Sequence, residues 1–146
     1  MEKNSLMRVY RLMHKLYRKR VPVLPGLLVR YIRVIYSCEL PPQTVIGEGS
    51  LFVHNGLGCV INPSVIIGNN VKIYQNVTIG GRNNRGTPMI EDDVFIGPGA
   101  CILGVVHIKK GATIGANAVC VNDVEAFSTV VGIPARSLPK SDEAIC

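Results

Sequence analysis

Between residues 59 and 81, small or branched aliphatic residues return every six positions, as Cys59, Val65, Val71 and Val77. A second series runs two positions later through Ile61, Ile67, Ile73 and Ile79. After a break the period resumes in Val94, Ala100, Val106, Ala112, Ala118 and Val124, accompanied by Ile90, Ile96, Ile102, Ile108, Ile114 and Cys120. A period of six is neither the 3.6 of a helix nor the 2 of an extended strand. Within each hexad, however, the two apolar positions stand two apart and share one face, as a short strand requires.

The rest of each hexad must turn a corner, where Gly, Asn and Asp are tolerated at little cost. Three such sides close a triangular coil of about 18 residues, and stacked coils pair as parallel strands ~4.8 Å apart. The expected fold is mainly β: a parallel β-helix of hexapeptide repeats. Composition agrees with so thin an interior, because 47% of the 146 residues are hydrophobic, only 5% are aromatic and none is Trp. The five cysteines form no CxxC pair, and Cys101 and Cys120 fall in aliphatic runs. They read as small buried hydrophobes rather than as a disulfide or metal framework.

The register breaks once inside the repeats. Ile79 and Ile90 are eleven apart, so the segment GGRNNRGTP carries five extra residues, expected to leave the solenoid as a loop at 80–88 bordering a site. Upstream, residues 4–19 have the spacing of an amphipathic helix with a basic face, and 26–37 suit a second one after the breaks at Pro22 and Pro25. Residues 1–36 hold nine Lys/Arg against one Glu, although the net charge of the chain is only +6. This basic piece, 1–37, is expected to cap the exposed edge of a β-helix at 38–138, with 139–146 as a tail. Peripheral contact with an anionic membrane is a second role open to it. No nucleic-acid motif accompanies the charge, so no nucleic-acid partner is expected. No apolar run is long enough to span a bilayer and no secretory signal is visible, so a cytoplasmic, soluble or membrane-peripheral protein is expected.

One histidine sits where the repeat falters, in LFVHNGLGCVIN. A prism filled by small aliphatics has no room for an imidazole, so His54 must stand at a corner or point outward. Gly56 and Gly58 leave space beside it, and Glu39, fifteen residues earlier, falls close to one coil away.

From CELPPQTVIGEG through LFVHNGLGCVIN, VKIYQNVTIGG and VFIGPGACILG to IGANAVCVNDV and VVGIPAR, the chain resembles the serine acetyltransferase-like hexapeptide-repeat acyltransferases. The resemblance implies a left-handed coil, a homotrimer with active sites between subunits, and acetyl-CoA as co-substrate without a metal. It implies His54 as general base, with Glu39 orienting it. Cofactor contacts would fall on Gly80, Gly81, Gly97, Pro98, Gly115, Ala116, Arg136 and Lys140, and acceptor contacts on Asn55, Arg82 and Thr87. The chemistry is consistent, because a neutral imidazole can take the proton of a hydroxyl attacking a thioester, and a carboxylate on its other nitrogen fixes the tautomer.

Two departures bear on the acceptor. Serine acetyltransferases carry a histidine before the Pro-x-Ile that restarts the coils, where this chain has Thr87 before Pro88, and their helical N-terminal domain is much larger. The favoured reading is therefore an O-acetyltransferase acting on a sugar hydroxyl in surface-polysaccharide synthesis. L-serine as acceptor, in cysteine biosynthesis, is the first alternative, and a non-catalytic repeat protein used for binding is the second.

Overall fold

The computed structural model describes residues 4–139. The two apolar series set its architecture. Very short strands stack into three sheets, the flat faces of a β-solenoid. The first face orders Val45–Ile46, Ile66–Ile67, Met89–Ile90 and His107–Ile108. The second orders Leu51–Phe52, Lys72–Ile73, Phe95–Ile96, Thr113–Ile114 and Thr129–Val131. The third orders Val60–Ile61, Thr78–Gly80, Cys101–Leu103 and Val119–Cys120. All these pairings are parallel and in register, mostly Ile on Ile: Ile67 opposite Ile90, Ile73 opposite Ile96, Ile79 opposite Ile102. An antiparallel strand, Arg136–Ser137, pairs with the last strand of the second face at the far end.

The inward residue of most strands belongs to the isoleucine series, and Ile61, Ile67, Ile73, Ile79, Ile90, Ile96, Ile102, Ile108 and Ile114 are all at most 1% exposed; Phe52, Cys120 and Val130 take that place in three strands. The valine–alanine series fills the corners between them, equally buried. Each buried isoleucine contributes about 1.5–3 kcal/mol relative to an exposed one. Beyond the first coil, where Phe52 points inward, these strands place no aromatic at the centre, since each layer is only three side chains wide.

Corners require left-handed backbone, and along the edge from the second to the third face Gly58, Asn76, Gly99 and Asn117 all have positive φ. Glycine and asparagine alternate there for a steric reason. A Cβ on Gly58 would fall 2.0 Å from Asn76 Oδ1, and one on Gly99 would fall 2.0 Å from Asn117 Oδ1. Each asparagine side chain thus occupies the space left free by the glycine of the preceding turn.

Two helices precede the coils, α1 (Ser5–Arg18) and α2 (Leu24–Tyr36). Pro25 does not interrupt the second. It sits in the first helical turn, where a missing N–H costs nothing. Helix α1 buries Leu6, Met7, Tyr10 and Met13 in the same core as Phe52 and Leu40. Its polar groups satisfy the open edge of the first coil: Arg11 donates to Ile46 O at 2.5 Å and to Gly47 O at 2.6 Å, and the Tyr10 hydroxyl donates to Thr44 O. A free strand edge with unpaired carbonyls is an aggregation hazard, and these bonds remove it.

Candidate active site

His54 lies in a short 3-10 turn, Val53–Gly56, on the edge between the second and third faces. Phe52 to Ile61 spans nine positions where Ile73 to Ile79 spans six, so the turn inserts three residues. His54 (φ 55°) and Asn55 (φ 53°) are both left-handed, which swings the chain away from the prism and leaves the His54 side chain exposed. Histidine and asparagine are among the residues that tolerate this region. The turn is pinned from beneath, because Gly56 is buried with its α-hydrogen side against Leu6 and Cys38.

Asn55 is committed elsewhere than sequence reasoning expects. Its Oδ1 accepts from Leu6 N and Ser5 Oγ, each at 3.2 Å. Asn4, the N-cap of α1, donates to Phe52 O and accepts from Met7 N at 3.1 Å. The two asparagines thus satisfy orphan donors of the helix and stitch its start to the histidine turn. Asn55 therefore acts as a structural clamp, and its carbonyl oxygen is not free for an acceptor.

Glu39 sits at the open end of the third face. Its N–H donates to Cys59 O and its carbonyl accepts from Ile61 N, both at 2.9 Å, one layer below the strand that follows His54. Its carboxylate does not meet the imidazole as the resemblance implied. Among the described residues no ion pair joins Glu39 to His54, and Glu39 Oε2 instead lies 2.9 Å from Arg33 Nη2. Both partners are well exposed, so the pair is weak and exchangeable. A cavity of about 300 Å³ opens here, lined by Arg33, Ser37, Glu39, Gly58 and Val60 together with the two thiols Cys38 and Cys59. Burial pushes Cys38 up to about 12, with Cys59 and Glu39 adding to the effect, and burial also raises Cys59. Both stay protonated at neutral pH and are poor nucleophiles.

The expected cofactor residues fall on two different edges. Gly97, Pro98, Gly115 and Ala116 follow strands of the second face and precede strands of the third, so they stack in successive layers on the same edge as His54. Gln75 stands on that edge too, in the layer between, and its buried Oε1 has no hydrogen-bond partner among the described residues. Nothing in the sequence marks Gln75, because a glutamine between two corner residues has no periodic signature. An unpaired buried acceptor is rare and calls for a partner.

Gly80, Gly81, Arg82 and Thr87 belong to the next edge, between the third and first faces, where residues 81–86 are exposed. Gly80 O accepts from Gly104 N at 2.9 Å. Thr87 Oγ1 donates to Ser64 O at 3.0 Å, beside a cavity of about 350 Å³ lined by Asn62, Gly81, Asn83 and Asn84. Arg136 lies exposed on the final antiparallel strand, opposite Val131, whose side chain lies against Gly115 on the histidine edge, and Lys140 lies outside the described residues. Within one chain, then, His54 and the 81–86 loop stand on the two edges that flank the third face. Among the described residues no three His, Cys, Asp or Glu side chains group closely enough to hold a metal ion.

A family profile, "Bacterial transferase hexapeptide (six repeats)", matches residues 87–122. A serine acetyltransferase of Staphylococcus xylosus is 42% identical over 135 residues, covering 90% of this chain and 62% of that protein. Over nine-tenths of its own length, then, this chain is similar to serine acetyltransferases. The soybean serine acetyltransferase solved with serine superposes at a TM-score of 0.85 with 36% identity, over 94% of this chain and 58% of that one. The Brucella abortus serine acetyltransferase solved with coenzyme A gives 0.85 with 30% identity, over 90% and 54%. This serine acetyltransferase-like chain therefore spans a little over half the length of the relatives it matches.

Proposed function

We propose that the protein transfers an acetyl group from acetyl-CoA to an acceptor hydroxyl, with His54 as general base. The observation that carries this reading is the column on one prism edge. There the exposed imidazole at the irregular turn stands in line with Gln75 and the stacked corners at Gly97–Pro98 and Gly115–Ala116. An extended pantetheine arm fits such a column, and the buried Gln75 Oε1 would have to turn outward to meet one of its amide N–H groups. The bound co-substrate supplies an activated thioester. His54 accepts the hydroxyl proton as the acceptor oxygen bonds to the carbonyl carbon, and its imidazolium returns the proton to the departing sulfur, worth about 10² to 10⁴ in rate. Glu39 can assist only after releasing Arg33.

The likeness to serine acetyltransferases, including one solved with serine and one with coenzyme A, favours L-serine as acceptor. This reverses the preference for a sugar hydroxyl, which none of the relatives supports. The sugar reading keeps one observation of its own: the loop residue before Pro88 is Thr87, and its hydroxyl is already bonded to Ser64. A loop that must act together with His54 while standing across the third face suits a trimer, in which the loop of one protomer meets the histidine edge of the next. The same reading places the protein in the cytoplasm, in peripheral contact with a membrane through its basic helices. Thiol release from acetyl-CoA, followed with L-serine and with a panel of sugars and sugar nucleotides, tests the acceptor. Turnover with serine at least tenfold above every sugar is expected, and turnover with a sugar alone would reverse the choice.

A further inference from the structure

The two helices divide their apolar residues very differently. Helix α2 is richer in them than α1, yet only Pro25 and Ile32 are buried. Leu24, Leu27, Tyr31, Val34 and Ile35 are 43–76% exposed, and Val23 just before the helix is 76% exposed. Spacings of three and four put Leu24, Leu27, Tyr31 and Val34–Ile35 on one stripe. An exposed apolar stripe of that length on a soluble surface marks a contact.

Charge says what kind. The turn leading into α2 exposes Arg18, Lys19 and Arg20, and the helix itself exposes Arg30 and Arg33. No Asp or Glu occurs between Lys3 and Cys38. A second copy packed stripe to stripe would bring Arg18, Lys19, Arg20 and Arg30 together, while the carboxylate that adjoins α2, Glu39, is already paired with Arg33. The outward residues of the first face, Val45, Ile66 and Met89, all about half exposed, offer chain-to-chain contact a flat apolar surface without that penalty. A cationic rim around an apolar stripe matches an interfacial helix lying on anionic lipid. No helix among the described residues is long and apolar enough to cross a membrane.

We propose that α2 is the docking helix of this protein on an anionic lipid surface, its stripe inserted at the headgroup boundary, with Arg30 and the cations of the preceding turn on lipid phosphates. This deepens the peripheral-membrane part of the proposed function and is independent of acetyl transfer. Arg33, at the membrane-facing helix, is also the partner of Glu39, so docking would bring the His54 end of the solenoid to the bilayer and leave the far end pointing away.

Sedimentation of the whole protein with phosphatidylcholine vesicles, with and without about one-third phosphatidylglycerol, tests it. Binding to the anionic vesicles only, weakened by salt, is expected. Leu27→Glu with Val34→Glu, both on the exposed stripe, should lower that binding at least about tenfold with the far-ultraviolet spectrum unchanged. Arg20→Gln should lower it about fivefold while leaving the stripe intact. Serine-dependent thiol release without vesicles should be unchanged in all three substitutions, so loss of the acetyl-transfer reading and loss of this one are told apart. Equal binding to neutral and anionic vesicles, unchanged binding by the double variant, or a change of oligomeric mass on Leu27→Glu would overturn the proposal. The last result would mean that protein covers the stripe.

Discussion

The first turn of the solenoid and the turns after residue 89 are made of the same repeat but behave differently. In the later turns Ile96 pairs with Ile114, 18 positions on, and nothing intrudes. In the first turn Phe52 pairs with Ile73, 21 positions on, because the histidine turn adds three residues. The regular turns are a frame in which each position is dictated by its layer. The irregular turn is held by contacts from outside the repeat, chiefly the start of α1. Burial secures the frame, and the extra residues, released from the ladder, are free to carry chemistry.

That contrast predicts a double dissociation. His54→Ala should lower turnover by about 10² to 10⁴ while leaving the urea midpoint where it was, since the side chain is exposed. Ile96→Ala should do the reverse, costing about 2–5 kcal/mol of stability at a fully buried position, with the surviving folded fraction retaining its turnover. If His54→Ala retained full activity, the irregular turn would lose its catalytic role.

A second test concerns the buried thiol beneath that turn. Cys38 is raised from 9.0 to about 12 by burial, so the unfolded chain gives up this proton first as pH climbs. Stability is therefore complete below about pH 9 and declines toward pH 12, on the order of 1 kcal/mol per pH unit. Urea midpoints at pH 8, 10 and 11 would measure the slope, and Cys38→Ala should flatten it. An unchanged slope would mean the thiol is not shielded.

The smallest effect is expected at the clamp. Asn55→Ala removes the acceptor for Leu6 N and Ser5 Oγ and should cost about 1 kcal/mol, with the KM for the acceptor little altered. A raised KM at unchanged stability would instead return Asn55 to acceptor binding.

The frame was legible in the sequence because a six-residue apolar period has few solutions. Both series predicted from it are buried, and the eleven-residue gap after Ile79 is the excursion at 81–86. The irregular turn that holds His54 was visible because it breaks the same pattern. What escaped detection depends on how the helices dock, which no periodicity encodes. Arg33 reaches Glu39 from α2, and Asn55 turns toward α1 rather than toward an acceptor. Gln75 was invisible because its significance is a missing partner, a property of three-dimensional packing alone. The acceptor was hard to read for a related reason: a single loop substitution at Thr87 says what contact is lost and not what replaces it.

The alternation of glycine and asparagine down the histidine edge limits how such a protein can change its length. Removing one turn between Gly58 and Asn117 would set amide against amide, or leave a gap over a gap. Loss or gain of turns in pairs preserves the interlock, so along this edge the unit of growth is two storeys rather than one.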